Sequence, residues 1–341
     1  MSDRSQRLDE PGTGPAARVL EDRCGRRVDY LRLSVTPTCG MRCVYCRPAG
    51  GGLPRAADLL TVDEIHWLVQ QLAERYGVRK VRLTGGEPTS RPDLVEIVAR
   101  LAAIPDLAMV TLTTNGLTLV DQAEALARAG LRRVNISLDA LEPDLFARLT
   151  GVDGLTRVLA GIDAAVAAGL SPVRLNTVVL RGLNDGELPN LLQYAASRGV
   201  ELRFIELMHM DASSPDLAQR YLSNTEVRLR LSEFVTHWQP SKRQYGTAER
   251  YRAELRDGRQ VEVGFINPRS RPFCDQCNRL RIAADGAIYP CLMDHPTSSV
   301  LSALRPVPDS VLLDRLLADG RARKAARHPG HGVAAMSEIG G

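Results

Sequence analysis

The sequence predicts an α/β fold, a partial TIM-like (β/α)6 barrel with a C-terminal extension that closes the barrel mouth. The first observation is a repeat in which six strand patterns alternate with helical patterns between residues 30 and 207. The second is that polar, glycine-rich and cysteine-rich motifs follow the strands, at the strand ends where such barrels place their sites. The third is that this rhythm stops near residue 210, which separates a core at 21–210 from a region at 211–341.

Apolar or alternating runs predict the barrel strands at 30–36, 81–84, 108–114, 133–138, 172–180 and 201–207. Helical patterns lie between them at 61–76, 92–103, 119–129, 155–168 and 185–197. The first helix begins with a capping box, because Thr61 precedes Glu64 by three residues. Further on, we expect a loop at 213–216, a partly helical stretch at 221–238, and strands at 251–255 and 261–266 joined by a hairpin at Asp257-Gly258.

The composition is that of an ordinary globular protein, with 44% hydrophobic residues, 25% charged residues and a net charge of +4 in 341 residues. No apolar run approaches the ~18–20 residues that a membrane span requires. Residues 1–17 are polar and rich in Arg, Gly and Pro, so we expect residues 1–20 to be disordered. They also lack the apolar segment of a signal peptide, so we expect the protein to be cytoplasmic. No run of basic residues interleaved with aromatic residues predicts a nucleic-acid groove. Clustered cysteines indicate cofactor ligation in a reducing compartment rather than disulfides.

Three cysteines follow the first predicted strand at C-x3-C-x2-C spacing: Cys39, Cys43 and Cys46. Three thiolates on one short loop can bind three irons of a [4Fe–4S] cluster and leave the fourth iron open to another ligand. A zinc site would need a fourth donor, and this loop offers no His, Asp or Glu. The spacing therefore favours an iron–sulfur cluster over zinc and over three cysteines buried as small apolar side chains.

A second group, Cys274, Cys277 and Cys291, has C-x2-C-x13-C spacing. It can also hold an iron–sulfur cluster, but His295 is near enough in sequence to complete a Cys3His zinc site, so both alternatives stay open. Arg279 and Arg281 would point to the same side of an extended strand. There they could bind phosphate, or they could be two solvated arginines on a strand edge. Cys24 lies outside both groups, and we interpret it as a small apolar side chain.

Around the first cysteine group the sequence resembles the radical S-adenosylmethionine (SAM) superfamily. Tyr45 stands in the aromatic position of the superfamily motif C-x3-C-x-aromatic-C. The turn Gly85-Gly86-Glu87-Pro88 matches the one that meets the amino group of SAM in these enzymes. The resemblance implies a barrel of the radical SAM type, and a [4Fe–4S] cluster on which SAM is cleaved to a 5′-deoxyadenosyl radical.

From about residue 21 to its end, the chain is similar to the GTP 3′,8-cyclase family of molybdenum cofactor biosynthesis. The features that carry this similarity are the second cysteine group with Arg279-Leu280-Arg281, the run Arg203-Phe204-Ile205-Glu206 with Met208, and the final Gly340-Gly341. The similarity implies a lyase that removes the C3′ hydrogen of GTP and joins C3′ to C8, which gives 3′,8-cyclo-7,8-dihydro-GTP. It also implies a second [4Fe–4S] cluster whose open iron meets the guanine.

The resemblance also implies functional roles for the residues of this sequence that match the family's motifs. The resemblance implies SAM contacts at Tyr45, Gly86, Ser137 and Met208. It implies GTP contacts at Arg32, Arg82, Thr113, Arg174, Arg279, Leu280 and Arg281, and catalytic roles for Arg279, Arg281, Gly340 and Gly341. It further implies an electron donor such as flavodoxin or ferredoxin, a downstream cyclic pyranopterin monophosphate synthase, and a homodimer.

Three positions depart from the family pattern without removing a ligand. Pro37-Thr38-Cys39-Gly40 replaces the usual Asp-Arg-Cys-Asn, Arg174 stands where Lys is common, and His209-Met210-Asp211 differs from the usual continuation. Two other functions remain as alternatives. One is a peptide-modifying radical SAM enzyme with an auxiliary cluster, which would not need an arginine-rich pocket. The other is a non-catalytic iron–sulfur or zinc protein that binds a nucleotide.

Overall fold

The computed structural model describes residues 19–46, 56–208, 215–241 and 246–328. These residues form one twelve-stranded sheet with helices packed against it. The strands are β1 (Tyr30–Ser34), β2 (Lys80–Thr84), β3 (Met109–Thr114), β4 (Arg133–Ser137), β5 (Val173–Val179), β6 (Glu201–Glu206), β7 (Val235–Pro240), β8 (Ala248–Leu255), β9 (Gln260–Ile266), β10 (Arg279–Ile282), β11 (Ala287–Tyr289) and β12 (Ser298–Ser299). The helices are α1 (Val62–Tyr76), α2 (Leu94–Ala102), α3 (Leu119–Arg128), α4 (Pro143–Thr150), α5 (Leu155–Ala167), α6 (Leu188–Arg198), α7 (Pro215–Ala218), α8 (Asn224–Arg230), α9 (Leu301–Leu304) and α10 (Ser310–Ala322).

The predicted barrel core is confirmed. Strands β1 to β6 are parallel and lie side by side in chain order, with helices between consecutive strands. The full strand order is β12-β11-β10-β1-β2-β3-β4-β5-β6-β9-β8-β7, so the sheet is not closed. The fold is therefore a partial barrel, in which the six parallel strands present their carboxyl ends on one side.

The C-terminal region extends this sheet at both edges. Strand β10 pairs in parallel with β1, with Arg281 opposite Arg32. At the other edge β9 pairs in parallel with β6, with Val263 opposite Leu202, and β8 and β7 follow in antiparallel order. The pairing of β10 with β1 brings the second cysteine group next to the strand that leads into the loop of the first group.

Side chains of β1 alternate between the core and the inside of the barrel, as the period of a strand requires. Leu31 and Leu33 belong to the buried apolar core. Tyr30 and Arg32, on the other face, line a cavity. The same division along the neighbouring strands places polar side chains together inside the barrel.

Local sequence signals explain several element boundaries. Thr61 and Glu64 form the predicted capping box at the start of α1, and Gly77 ends that helix in the left-handed conformation at φ 68°. The predicted hairpin joins β8 to β9, with Gly258 at φ 85°. No helix of the described residues is both long enough and apolar enough to cross a membrane.

Three local expectations in the less regular parts of the chain have different outcomes. In the predicted loop at 213–216, residues 213 and 214 lie outside the described residues, and α7 begins at residue 215, where a loop was expected. The stretch at 221–238 is partly helical, as expected: it contains α8, and β7 begins at Val235. Strand β7 is a mostly exposed edge strand, so no apolar alternation marks it. In the predicted disordered segment 1–20, residues 1–18 lie outside the described residues and Leu20 is buried.

Candidate active site

A cavity of about 1020 Å³ brings the predicted site residues together. It is lined by Cys39, Cys43, Cys46, Cys274, Cys277, Cys291, Tyr45, Gly86, Ser137, Met208, Arg32, Arg82, Thr113, Arg174, Arg279 and Arg281. Leu280 is not among them, because it points to the opposite face of β10 and is buried in the core. Gly340 and Gly341 lie outside the described residues, as do His209, Met210 and Asp211.

The first cysteine group sits on a loop that is tied to the end of α4. The backbone amide of Arg42 donates to the carbonyl of Thr150 at 2.7 Å, and that of Val44 to the carbonyl of Leu149 at 2.9 Å. Burial, together with the negative charges of Asp139 and the other two thiols, raises the pKa of Cys43 well above its usual value. Three thiolates can coexist there only with a compensating positive charge, which iron would supply. The donor set therefore fits a cluster.

The geometry of both cysteine groups bears on the choice between a cluster and a single ion. Among the described residues, no three His, Cys, Asp or Glu side chains are arranged to hold one metal ion. A [4Fe–4S] cluster makes a different demand, because each thiolate binds its own iron. His295, the candidate fourth zinc ligand, is exposed and does not line the cavity. His295 therefore lies outside the cavity that the second cysteine group lines.

The two glycines after β2 are required by the backbone that packs against them. A Cβ at Gly86 would lie 2.3 Å from the carbonyl oxygen of Thr38, and one at Gly85 would lie 2.4 Å from that of Thr36. The Gly86 amide donates to Thr36 O at 2.7 Å. The glycines thus let the turn pack directly against the backbone that leads into the first cysteine group. Gly86 also lines the cavity.

A buried carboxylate connects that turn to the cysteine loop. Glu87 accepts hydrogen bonds from the Thr114 hydroxyl at 2.6 Å and from the Asn115 amide at 2.5 Å. The Asn115 side-chain nitrogen in turn lies 3.7 Å from the sulfur of Cys39, as a donor to it. Glu87 therefore fixes the end of β3 beside the first cysteine group.

Tyr45, the aromatic residue of the first motif, is held by a buried carboxylate that the sequence did not assign. Its hydroxyl donates to Asp139 Oδ2 at 2.5 Å, and the amide of Val178 donates to Oδ1 at 2.8 Å. Burial raises the pKa of Asp139 to about 6, although both hydrogen bonds act in the opposite direction. Asp139 follows the fourth strand, and that position was its only signal in the sequence.

This raised pKa predicts a pH-dependent stability of the cluster-free protein. The unfolded carboxyl ionises near pH 4 and the folded one near 6, so the free energy of unfolding should fall by about 3 kcal/mol across that interval as the pH rises. In Asp139→Asn this loss should be absent, so the variant should gain stability relative to the parent between pH 4 and 6. Denaturant unfolding over this range measures the difference. Exposed Asp153→Asn is the control, and a pH-independent difference for Asp139→Asn would contradict the assignment.

Basic side chains from several strands of the sheet form a cluster inside the cavity. Its members are Arg32, Lys80, Arg82, Arg133, Arg174, Arg203, Arg250, Arg279 and Arg281, all of which line the cavity. Burial and the neighbouring arginines lower the pKa of Lys80 to about 8. Burial raises the pKa of Tyr30, but the positive charges of Arg82 and Lys80 outweigh it and lower that pKa to about 6. Both shifts indicate a strongly positive interior that suits an anionic ligand.

Two acceptors orient part of the basic cluster. Glu201 accepts hydrogen bonds from Arg174 at 2.9 Å, from Arg203 at 2.7 Å and from Arg250 at 2.9 Å. Arg82 donates to the hydroxyl of Tyr30 at 2.6 Å. Lys80, Arg133 and Arg250 were not assigned to the site from the sequence, although the alternation of Lys80 and Arg133 with other cavity-lining residues on β2 and β4 was a usable signal.

Arg279 carries a buried donor that needs a ligand. Its Nη2 has no hydrogen-bond partner among the described residues, while its guanidinium lies 4.9 Å from the ring centroid of Phe273. A buried donor without a partner costs about 1–3 kcal/mol. An anionic group in the cavity would satisfy it.

The chain is similar in sequence to proteins of known families. Residues 33–195 match the Radical SAM superfamily, and residues 200–329 match Molybdenum Cofactor Synthesis C. A GTP 3′,8-cyclase of Rhodopirellula baltica is 39% identical over 324 residues, which cover 94% of this chain and 89% of that protein. GTP 3′,8-cyclase 1 of Pseudomonas aeruginosa is 41% identical over 306 residues, which cover 89% and 92%.

The chain belongs to the GTP 3′,8-cyclase family. The resemblance predicted from the motifs is thereby confirmed. As a radical SAM enzyme, this cyclase-family protein uses SAM and an iron–sulfur cluster.

Solved structures resemble the cyclase-family chain in fold. Streptococcus suis SuiB bound to its precursor peptide SuiA matches with a TM-score of 0.60 and 13% identity, over 91% of this chain and 75% of that one. The protein anSMEcpe with bound AdoMet matches with a TM-score of 0.58 and 15% identity, over 86% and 80%. At such identities the likeness shows the partial radical SAM barrel alone. It therefore does not favour the peptide-modifying alternative.

Proposed function

We propose that the chain is a lyase that converts GTP to 3′,8-cyclo-7,8-dihydro-GTP in the first step of molybdenum cofactor biosynthesis. The observation that carries this proposal is that two cysteine groups and the basic cluster line the same cavity. A peptide substrate would not explain so much buried positive charge. A nucleoside triphosphate would explain it, because its phosphates are negatively charged. The names of the curated relatives support the same reaction.

Each of the two cysteine groups fits an iron–sulfur cluster. Cys39, Cys43 and Cys46 would bind one [4Fe–4S] cluster, and SAM bound beside it supplies a 5′-deoxyadenosyl radical that can take the C3′ hydrogen of GTP. Tyr45, Gly86, Ser137 and Met208 line the same cavity, where they would contact SAM. Cys274, Cys277 and Cys291 would bind a second [4Fe–4S] cluster at the guanine end.

The chain's own residues bind and orient the substrate. Arg174 and Arg203, both held by Glu201, and Arg82, held by Tyr30, present fixed positive charge to the triphosphate. Fixed cations of this kind cost no reorganisation when substrate binds, because the protein already holds them in place. Burial of the cavity interior also excludes water from a radical reaction.

The remaining proposals rest on family resemblance. Residues 21–210 act as the radical SAM core, and residues 211–341 carry the second cluster and the Gly-Gly tail. The protein works in the cytoplasm as a homodimer. A donor such as flavodoxin or ferredoxin supplies the electron, and cyclic pyranopterin monophosphate synthase consumes the product.

Loss of either arginine of β10 should weaken GTP binding. Arg279→Ala and Arg281→Ala should each cost about 1.5–3 kcal/mol, roughly tenfold to over a hundredfold in Kd, because each removes a charged hydrogen-bond partner of phosphate. Calorimetry with GTP and with guanosine measures this, and guanosine should lose less. Arg128→Ala on the exposed surface of α3 is the control. Equal losses for both ligands would mean that these arginines do not act on phosphate.

Deletion of Gly340 and Gly341 should abolish cyclisation while iron content, SAM binding and GTP binding stay near those of the full-length protein. Glycine has no Cβ, so a Gly-Gly end can enter a crowded cavity that other residues cannot. Product formation and binding, measured in parallel on the truncated and full-length chains, separate the two effects. A truncated enzyme with the full-length turnover rate would contradict a role for the tail.

A further inference from the structure

Lys324, which lies two residues after α10, is a buried lysine whose ammonium contacts a cysteine sulfur and backbone carbonyls. Only 2% of its surface is exposed, although lysine is almost never fully buried unless it is paired. Among the described residues no carboxylate forms an ion pair with it. Its ammonium instead donates to the sulfur of Cys277 at 3.4 Å, to the carbonyl of Arg279 at 2.8 Å and to the carbonyl of Pro290 at 2.8 Å.

These three acceptors surround the second cysteine group. Cys277 belongs to the group, Arg279 follows it on β10, and Pro290 directly precedes Cys291. An ammonium has three N–H donors, and each finds one of these acceptors. The positive charge is thus fixed beside a ligand sulfur.

The segment that carries Lys324 is itself tied to the cysteine loop. Arg26 donates to the carbonyls of Cys274 at 2.7 Å, Ala325 at 2.8 Å and Ala326 at 3.2 Å. Its guanidinium is anchored at the other side by Asp22 at 2.6 Å. Lys324 therefore cannot withdraw from the second cysteine group without breaking these contacts.

One cysteine of each group, Cys43 and Cys277, has a charged neighbour, and the two neighbours are opposite in sign. At the first group, Cys39 receives a hydrogen bond from the neutral amide of Asn115 at 3.7 Å, and the carboxyl of Asp139 is a neighbour of Cys43. At the second group, Lys324 and Arg279 place positive charge beside Cys277. A cation and a hydrogen bond at a ligand sulfur stabilise the reduced, more negative state of an iron–sulfur cluster.

We propose that Lys324 raises the reduction potential of the cluster held by Cys274, Cys277 and Cys291 through its contact with the Cys277 sulfur. This inference rests on the second cluster of the proposed function. It assigns to this residue an electrostatic role toward that cluster, in addition to its backbone contacts.

The test uses full-length protein in which Cys39, Cys43 and Cys46 are all replaced by serine, so that the second cluster alone contributes. Into this parent we would introduce Lys324→Met, Lys324→Arg and, as a matched control, Arg323→Met on the neighbouring exposed side chain. After anaerobic reconstitution, iron content and the midpoint potential from a redox titration followed by electron paramagnetic resonance are measured. Lys324→Met should shift the potential to more negative values with about four irons retained. Lys324→Arg and Arg323→Met should stay near the parent.

Two results would overturn the inference alone. One is an unchanged potential in Lys324→Met with a full complement of iron. The other is loss of iron in both Lys324→Met and Lys324→Arg, which would leave only a structural role for the residue. A parent protein without any iron at the second group would contradict the second cluster itself, and the inference would fall with it.

Discussion

Replacing Cys39, Cys43 and Cys46 together by serine should abolish the formation of 5′-deoxyadenosine from SAM. Without these thiolates no iron with an open position remains to bind the methionine end of SAM. The iron content should fall by about half, because the second cysteine group lies on separate segments and binds its cluster independently. Iron analysis and chromatography of the nucleoside, both under anaerobic conditions, measure the two effects.

Cys24→Ser is the matched control for this experiment. Cys24 was expected to be a small apolar side chain, but it is exposed. Its replacement should therefore leave iron content and SAM cleavage unchanged. If the triple variant still produced 5′-deoxyadenosine, the first cysteine group would not be the SAM site.

Replacing Cys274, Cys277 and Cys291 together by serine should have an effect different from that of replacing the first group. The first cluster should survive, and SAM cleavage uncoupled from substrate should persist, but the cyclised nucleotide should disappear. The expected pattern is thus 5′-deoxyadenosine without product, with iron again reduced by about half. A stoichiometric zinc content in the parent after strictly anaerobic purification would support the Cys3His alternative instead.

The central fold could be predicted because its signals are local. Alternating apolar patterns of strands and helical patterns follow one another from β1 to β6. Each pattern can be recognised from the residues of its own segment. The edges of the sheet could not be predicted in the same way. The pairing of β10 with β1 joins residues about 250 positions apart, as Arg281 opposite Arg32 shows, and nothing in either strand specifies its neighbour. Strand β7 was missed because its exposed residues carry no alternation.

The site residues could be predicted where they belong to a short sequence motif. Both cysteine groups and the Arg279–Arg281 pair were found by spacing, Tyr45 was found by resemblance to the radical SAM motif, and all of them line the cavity. Leu280 was carried over with its neighbours, but alternation on β10 turns its side chain to the core. Arg250, Asp139 and Lys324 were missed because each acts through a tertiary contact.

The contacts of these missed residues show why sequence patterns could not reveal them. Arg250 reaches Glu201 from β8, across 49 positions of the chain. Lys324 reaches Cys277 across 47 positions. Only the folded chain puts these charges beside the residues on which they act.

Anaerobic incubation of the reconstituted protein with SAM, dithionite and GTP tests the central claim most directly. Mass analysis of the reaction should find 5′-deoxyadenosine together with 3′,8-cyclo-7,8-dihydro-GTP, and omission of GTP should remove the cyclic nucleotide. Formation of 5′-deoxyadenosine with GTP recovered unchanged would contradict the proposed cyclase activity.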